Sequence, residues 1–121
     1  MVDVVVLNGD EDLLGAVQDA LQASGFSVAA RFSQGPAEEL AGFIRKHDPR
    51  VVVHDLGPPP VERAIQRWRD LCRQPGADRP YVLTTTFDCN LDPHPCMVSC
   101  VLLMPATLKD VAAAVRRAAQ R

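Results

Sequence analysis

Three groups of side chains in this 121-residue sequence have the types and spacing to do chemistry. The first is Asp55. It follows Val51, Val52, Val53 and His54 and is itself followed by Leu56, Gly57, Pro58, Pro59 and Pro60. A carboxylate closing an apolar run can serve as a nucleophile, as a ligand to a hard cation, or as an acceptor for loop amides. The second group is the Asn8-Gly9-Asp10 stretch after another apolar run, which offers a single carboxylate. The third gathers Cys89, Asp92, His94, Cys96 and Cys100 within twelve residues. Zinc takes thiolate, imidazole and carboxylate ligands tetrahedrally. The spacing lacks the paired C-x-x-C of common zinc modules, and Cys100 opens an apolar run that should be buried, so no stoichiometric zinc is expected. No Lys or Arg neighbours Cys89 or Cys96 in sequence to lower a thiol pKa.

The elements that must position these groups follow from the apolar patterning. Three consecutive valines suit a strand covered on both faces, as in the middle of a parallel sheet. Glycine and three prolines cannot extend that strand, so Asp55 falls at its carboxyl end, where open α/β sheets place their ligands. His54 alternates with Asp55, so it points to the other face, toward the core or a helix. Residues 2–7 read as a second buried strand. Asp10 or Asp12 then starts a helix with Leu13, Leu14, Val17 and Leu21 on one stripe, and Gly25 ends it. Phe26, Val28 and Ala30 alternate as an edge strand. Pro36 opens a helix with Leu40, Phe43 and Ile44 inward, closed by Asp48-Pro49.

After the prolines, Val61, Ile65, Trp68 and Leu71 mark a third helix, with Trp68 as a core anchor. Residues 81–86 form a fourth strand whose end, Thr84 to Thr86, lies level with Asp55. Pro93 and Pro95 remove donors and restrict their predecessors, so residues 87–99 should be largely irregular. Residues 100–103 form a short fifth strand, and Thr107 caps a final helix through Leu108, Val111, Ala112 and Val115. Strand and helix alternate five times. Right-handed crossovers make this a doubly wound, five-stranded parallel sheet in three layers, the flavodoxin-like α/β class.

Composition agrees with one soluble domain over residues 1–121. The sequence is 47% hydrophobic with a net charge of −2, so no basic field draws it to nucleic acid or an anionic membrane. There is no apolar run long enough for a membrane span and no signal peptide. Four cysteines without an export signal point to reduced thiols in the cytoplasm. The sequence has no Gly-rich phosphate loop and no readable nucleophile–base pair, so it does not read as an enzyme.

These residues carry a resemblance. Val4 to Leu7 with the acidic stretch after it, the Gly25-Phe26 boundary and Asp55-Leu56 with Pro59 resemble the receiver domain of bacterial response regulators. So do Pro80 to Thr85 and Leu103-Met104-Pro105 before the last helix, so the resemblance spans essentially the whole chain. It implies strand order 2-1-3-4-5. It also implies a phosphoacceptor aspartate at Asp55, a carbonyl for Mg²⁺ at Gly57 and a phosphoryl-binding hydroxyl at Thr85. Mg²⁺ would be held by an acidic pair after the first strand together with Asp55.

The departures from the family weigh more than the matches. Asn8 and Gly9 stand where the acidic pair belongs, and Asp10 is one position late. Met104 replaces the lysine, and Val101 the aromatic three positions earlier. Removing such charges from a phosphoryl-transfer site costs several kcal/mol. The resemblance is therefore to a degenerate receiver, or pseudo-receiver. Asp55 would be retained in it without phosphorylation, hydrogen-bonded to Thr85 or to loop amides. The expected role is a cytoplasmic signalling module that binds a protein partner, a signalling protein or a histidine kinase, with homodimerisation left open. No cofactor is expected, and Mg²⁺ only if the site functions. Two alternatives stand beside this: a working phosphorelay receiver using Asp55, and a metal- or thiol-dependent sensor using the cysteine-rich segment.

Overall fold

A computed structural model describes residues 2–86, 98–103 and 106–120. Five strands, β1 (Val4–Asn8), β2 (Val28–Phe32), β3 (Val51–Asp55), β4 (Tyr81–Thr85) and β5 (Val98–Leu103), form one sheet. Its order is β2-β1-β3-β4-β5 and every pairing is parallel. β3 therefore has a partner on each side, with Val53 opposite Val6 of β1 and opposite Val82 of β4. That is why its three valines carry no polar alternation: both faces are covered.

Four helices are present among the described residues: α1 (Glu11–Ala23), α2 (Ala37–His47), α3 (Val61–Cys72) and α4 (Leu108–Ala119). One sheet face, with Val5, Leu7, Val52, Tyr81 and Leu83, packs on Leu40, Ala41 and Ile44 of α2 and on Trp68 and Leu71 of α3. The other, with Val4, Val6, Val51, Val53 and Val82, packs on Val17 and Leu21 of α1 and on Val111, Val115 and Ala118 of α4. Alternating residues along each strand feed the two cores in turn, which is the physical content of a doubly wound sheet.

Local signals set the helix ends. The Asp10 side chain accepts from the Leu13 amide and caps α1, and Gly25 follows the helix at φ +95°, where a β-carbon would be strained. Thr107 and Asp110 exchange side-chain and backbone bonds in a capping box on α4. Asp48, at φ 46°, turns the chain out of α2 toward β3.

Several sequence-level expectations shift. β1 runs to Asn8, so the turn begins one residue later than the apolar run suggests. β4 stops at Thr85, leaving Thr86 in the following bend. On α3 the buried residues are Ala64, Trp68, Leu71 and Cys72, while Val61 and Ile65 are only half-buried. β5 begins at Val98, so Val98 and Ser99 belong to the sheet and not to an irregular segment. Cys100 is half-buried. Residues 87–97, with Cys89, Asp92, His94 and Cys96, lie outside the described residues, as does Met104.

Candidate functional site

The parallel sheet brings the carboxyl ends of β1 and β3 side by side, and strand order reverses between them: β2 lies beyond β1, and β4 and β5 lie beyond β3. Connections leaving adjacent strands to opposite faces open a crevice at such a point. Here the crevice is a cleft of about 820 Å³ whose walls include Asn8, Gly9, Asp10, His54, Asp55 and Gly57. Five of the residues singled out from the sequence (Asn8, Gly9, Asp10, Asp55 and Gly57) thus share one cavity. Thr85 is buried at the end of β4, and Thr86 is the threonine on the cleft wall.

Asp55 is half-buried and both its oxygens are in use. Oδ1 accepts from the Thr84 hydroxyl at 2.7 Å. Oδ2 accepts from the Gly57 amide at 3.0 Å, closing a tight turn in which Gly57 takes φ +85°. The expected pairing with a threonine and a loop amide is present, but the threonine is Thr84. Parallel register decides this: Asp55 lies directly opposite Thr84, so the two side chains leave the same face of the sheet, and that of Thr85 leaves the other.

The acidic end of the site is poorer. Asn8 is buried, and its Oδ1 accepts from the Asp10 amide at 2.8 Å. The carboxylate of Asp10 is turned to the helix, its Oδ1 accepting from the Leu13 amide at 3.1 Å. Gly9 contributes no side chain. Hard cations take six or more oxygen ligands, mostly carboxylates and water. Of the three positions after β1, one is a neutral amide, one bare backbone and one a helix cap, so this donor set does not fit the cation site of a working receiver. Among the described residues no group of three His, Cys, Asp or Glu side chains gathers as a metal site.

His54 and Arg67 complete the cleft. His54 shares its strand face with Val52 and Leu56, toward α3, as the alternation requires. It is only 6% exposed, and its buried Nδ1 meets no hydrogen-bond partner among the described residues. Burial, with a smaller contribution from the Arg67 guanidinium, lowers its pKa from 6.5 to about 4, so the ring is neutral at pH 7. Arg67 reaches from α3 over the turn after Asp55: a β-carbon added at Gly57 would lie 3.5 Å from its Nη2. Sequence reasoning passed over Arg67 because it sits outside the apolar stripe of α3. The readable signal was its spacing, four residues before the inward Leu71 on the same helix side.

No family model and no curated protein matches this sequence. Solved structures do. A sensor protein from Polaromonas sp. JS666 matches with a TM-score of 0.77 at 17% identity, over 98% of this chain and 95% of that one. A CheY-like response regulator receiver domain protein from Methanospirillum hungatei JF-1 matches with a TM-score of 0.73 at 12% identity, over 98% and 93%. The chemotaxis protein CheY4 of Vibrio cholerae gives 0.71 at 16% identity, over 98% of both chains. Strand order, all-parallel pairing and near-complete coverage agree, and the chain therefore has the flavodoxin-like fold of CheY-like response regulator receiver domains.

Proposed function

We propose that this chain is a signalling module of receiver type that acts by binding a protein partner, without catalysis of its own and without phosphorylation at Asp55. The observation that carries the reading is the state of the acceptor: both Asp55 oxygens are bonded, to Thr84 and to Gly57. A phosphoryl group arriving there would compete with these donors for Asp55 Oδ1 or Oδ2. It would also bring roughly two negative charges into a pocket whose cation ligands are reduced. The sequence adds Met104 in place of the family's lysine and Val101 in place of its switching aromatic. Arg67 does not repair the loss. It stands beside His54, on the α3 side of the sheet, whereas the Asp55 side chain leaves toward the α1 and α4 side.

The partner is a signalling protein or a histidine kinase in the cytoplasm. The test is titration with beryllofluoride and Mg²⁺ followed by amide NMR, since beryllofluoride mimics a phosphoryl group on an aspartate. The amides of Asn8, Gly57 and Thr84 are expected not to shift. A saturable shift at all three would favour the phosphoacceptor reading instead.

A further inference from the structure

Charge is sorted along the strand axis of this molecule. The end of the sheet that carries the cleft is acidic. Asp10 lies on the cleft wall, Glu11 and Asp12 fall between it and the wall residue Leu13, and Glu38 and Glu39 fall between the wall residues Ala37 and Leu40. All five carboxylates are exposed. Arg31 at the end of β2 offsets one of them, bridging Glu39 at 3.2 Å, and Arg67 stands across the cleft on α3. In the first turns of α3 and α4 the charges cancel, Glu62 beside Arg63 and Asp110 beside Lys109. The acidic surplus therefore belongs to the α1 and α2 side of the cleft mouth.

The opposite end is basic. Arg45 and Lys46 lie in the last turn of α2, Arg50 precedes β3, and Arg73 follows α3. These four are exposed, and none makes an ion pair with a described residue. Two interactions bring them onto one surface. Arg45 Nη1 donates to the Pro75 carbonyl, two residues past Arg73. Arg79 Nη1 donates to Asp48 Oδ1 at 2.6 Å and to the Pro49 carbonyl at 3.0 Å, beside Arg50. Asp48 is thereby matched to Arg79, and Asp3 is turned to the Ser27 amide at 2.9 Å. Helix dipoles favour part of this sorting, but Arg50 lies in no helix. The helix α2 separates the two ends by about 16 Å, twice the Debye length of about 8 Å at physiological ionic strength, so they do not neutralise each other within one chain. A net charge of −2 leaves little overall repulsion between copies. We infer that copies of this chain associate head to tail, the basic end of one, around Arg45, Arg50 and Arg73, against the acidic cleft mouth of the next. The two faces lie at opposite ends, so the contact is heterologous and the assembly grows open-ended. Exposed charges carry it, so it is weak and dissolves in salt. This goes beyond the receiver reading and does not depend on how Asp55 behaves toward phosphodonors.

Sedimentation equilibrium of the full chain at about 1 mM in about 20 mM salt should give a weight-average mass that rises with concentration past twice the monomer mass, and the monomer mass alone in about 0.5 M salt. Two neutralised variants then locate the faces. Asp12→Asn/Glu38→Gln keeps only the basic face, and Arg50→Gln/Arg73→Gln keeps only the acidic one. All four positions are exposed, so both variants should fold as the parent does. Each alone should associate about tenfold more weakly than the parent. In a mixture of labelled Arg50→Gln/Arg73→Gln with unlabelled Asp12→Asn/Glu38→Gln, the labelled chain should shift at the amides of Gly9, Gly35 and Glu39, and not at those of Lys46 and Gly76. The inference is overturned by a monomer in low salt, by a mass that stops at the dimer or ignores salt, by either variant associating alone as the parent does, or by a mixture that shifts no amide or shifts the basic end of the labelled chain.

Discussion

Replacing Trp68 with alanine is expected to destabilise the fold by about 3–5 kcal/mol, a large share of the roughly 5–15 kcal/mol that holds a typical domain folded. Trp68 is fully buried between α3 and the sheet. Its ring meets that of Tyr81 edge-on, with centroids 5.8 Å apart and planes at 83°. The favourable quadrupole geometry adds about 1 kcal/mol to the burial. Tyr81 is anchored in turn, its hydroxyl donating to the Ala77 carbonyl at 2.7 Å across the loop before β4. Truncation removes the largest buried side chain and leaves Tyr81 facing a void. Denaturant unfolding of Trp68→Ala beside Trp68→Phe measures this. Phenylalanine should recover about half of the loss, because it restores an aromatic edge contact. A loss below about 1 kcal/mol for alanine would contradict the packing described.

A second large effect is expected from pH, through His54. In the unfolded chain its imidazole titrates near 6.5, and in the fold near 4. Above pH 6.5 the ring is neutral in both states, and its contribution to stability is fully present. As pH falls from 6.5 toward 4, the unfolded chain takes up a proton that the folded chain does not, so stability falls. Below about 4 both states are protonated and the loss is complete. The full span is worth about 3 kcal/mol. Thermal unfolding from pH 7 down to pH 4 should show a falling Tm, and His54→Phe, which cannot titrate, should flatten that slope. An unchanged slope in His54→Phe would mean that other groups dominate the acid side.

Which of these features could be read from the sequence depends on how local their causes are. Asp55 at the end of a central strand was legible because three valines and a Gly-Pro break are local signals that no tertiary contact reversed. The burial of His54 followed from alternation alone. The pairing of Asp55 with Thr84 was not legible. The residues alone left Thr84, Thr85 and Thr86 open, the resemblance pointed to Thr85, and only the register of two parallel strands far apart in sequence decides the matter. The inward face of α3 was partly misjudged, because Ala64 is too small to weigh in an apolar pattern yet sits flush against the sheet. Arg67 was missed for the converse reason. A long basic side chain beside a core tryptophan reads as solvated, and its reach over Gly57 depends on the angle at which α3 lies on the sheet. Alternation, short connections and crossover handedness, in contrast, were enough for a doubly wound parallel sheet, while the order β2-β1-β3-β4-β5 was implied by the resemblance to receiver domains.

The central claim is that Asp55 is held as a structural acceptor and is not phosphorylated. Intact-mass spectrometry after incubation with acetyl phosphate and Mg²⁺, beside an Asp55→Asn control, tests it most directly. No phosphoryl adduct is expected on either protein. A single added phosphoryl group on the unmodified sequence, absent from Asp55→Asn and lost again in Asp10→Ala, would contradict it and make Asp10 the surviving cation ligand of a working receiver.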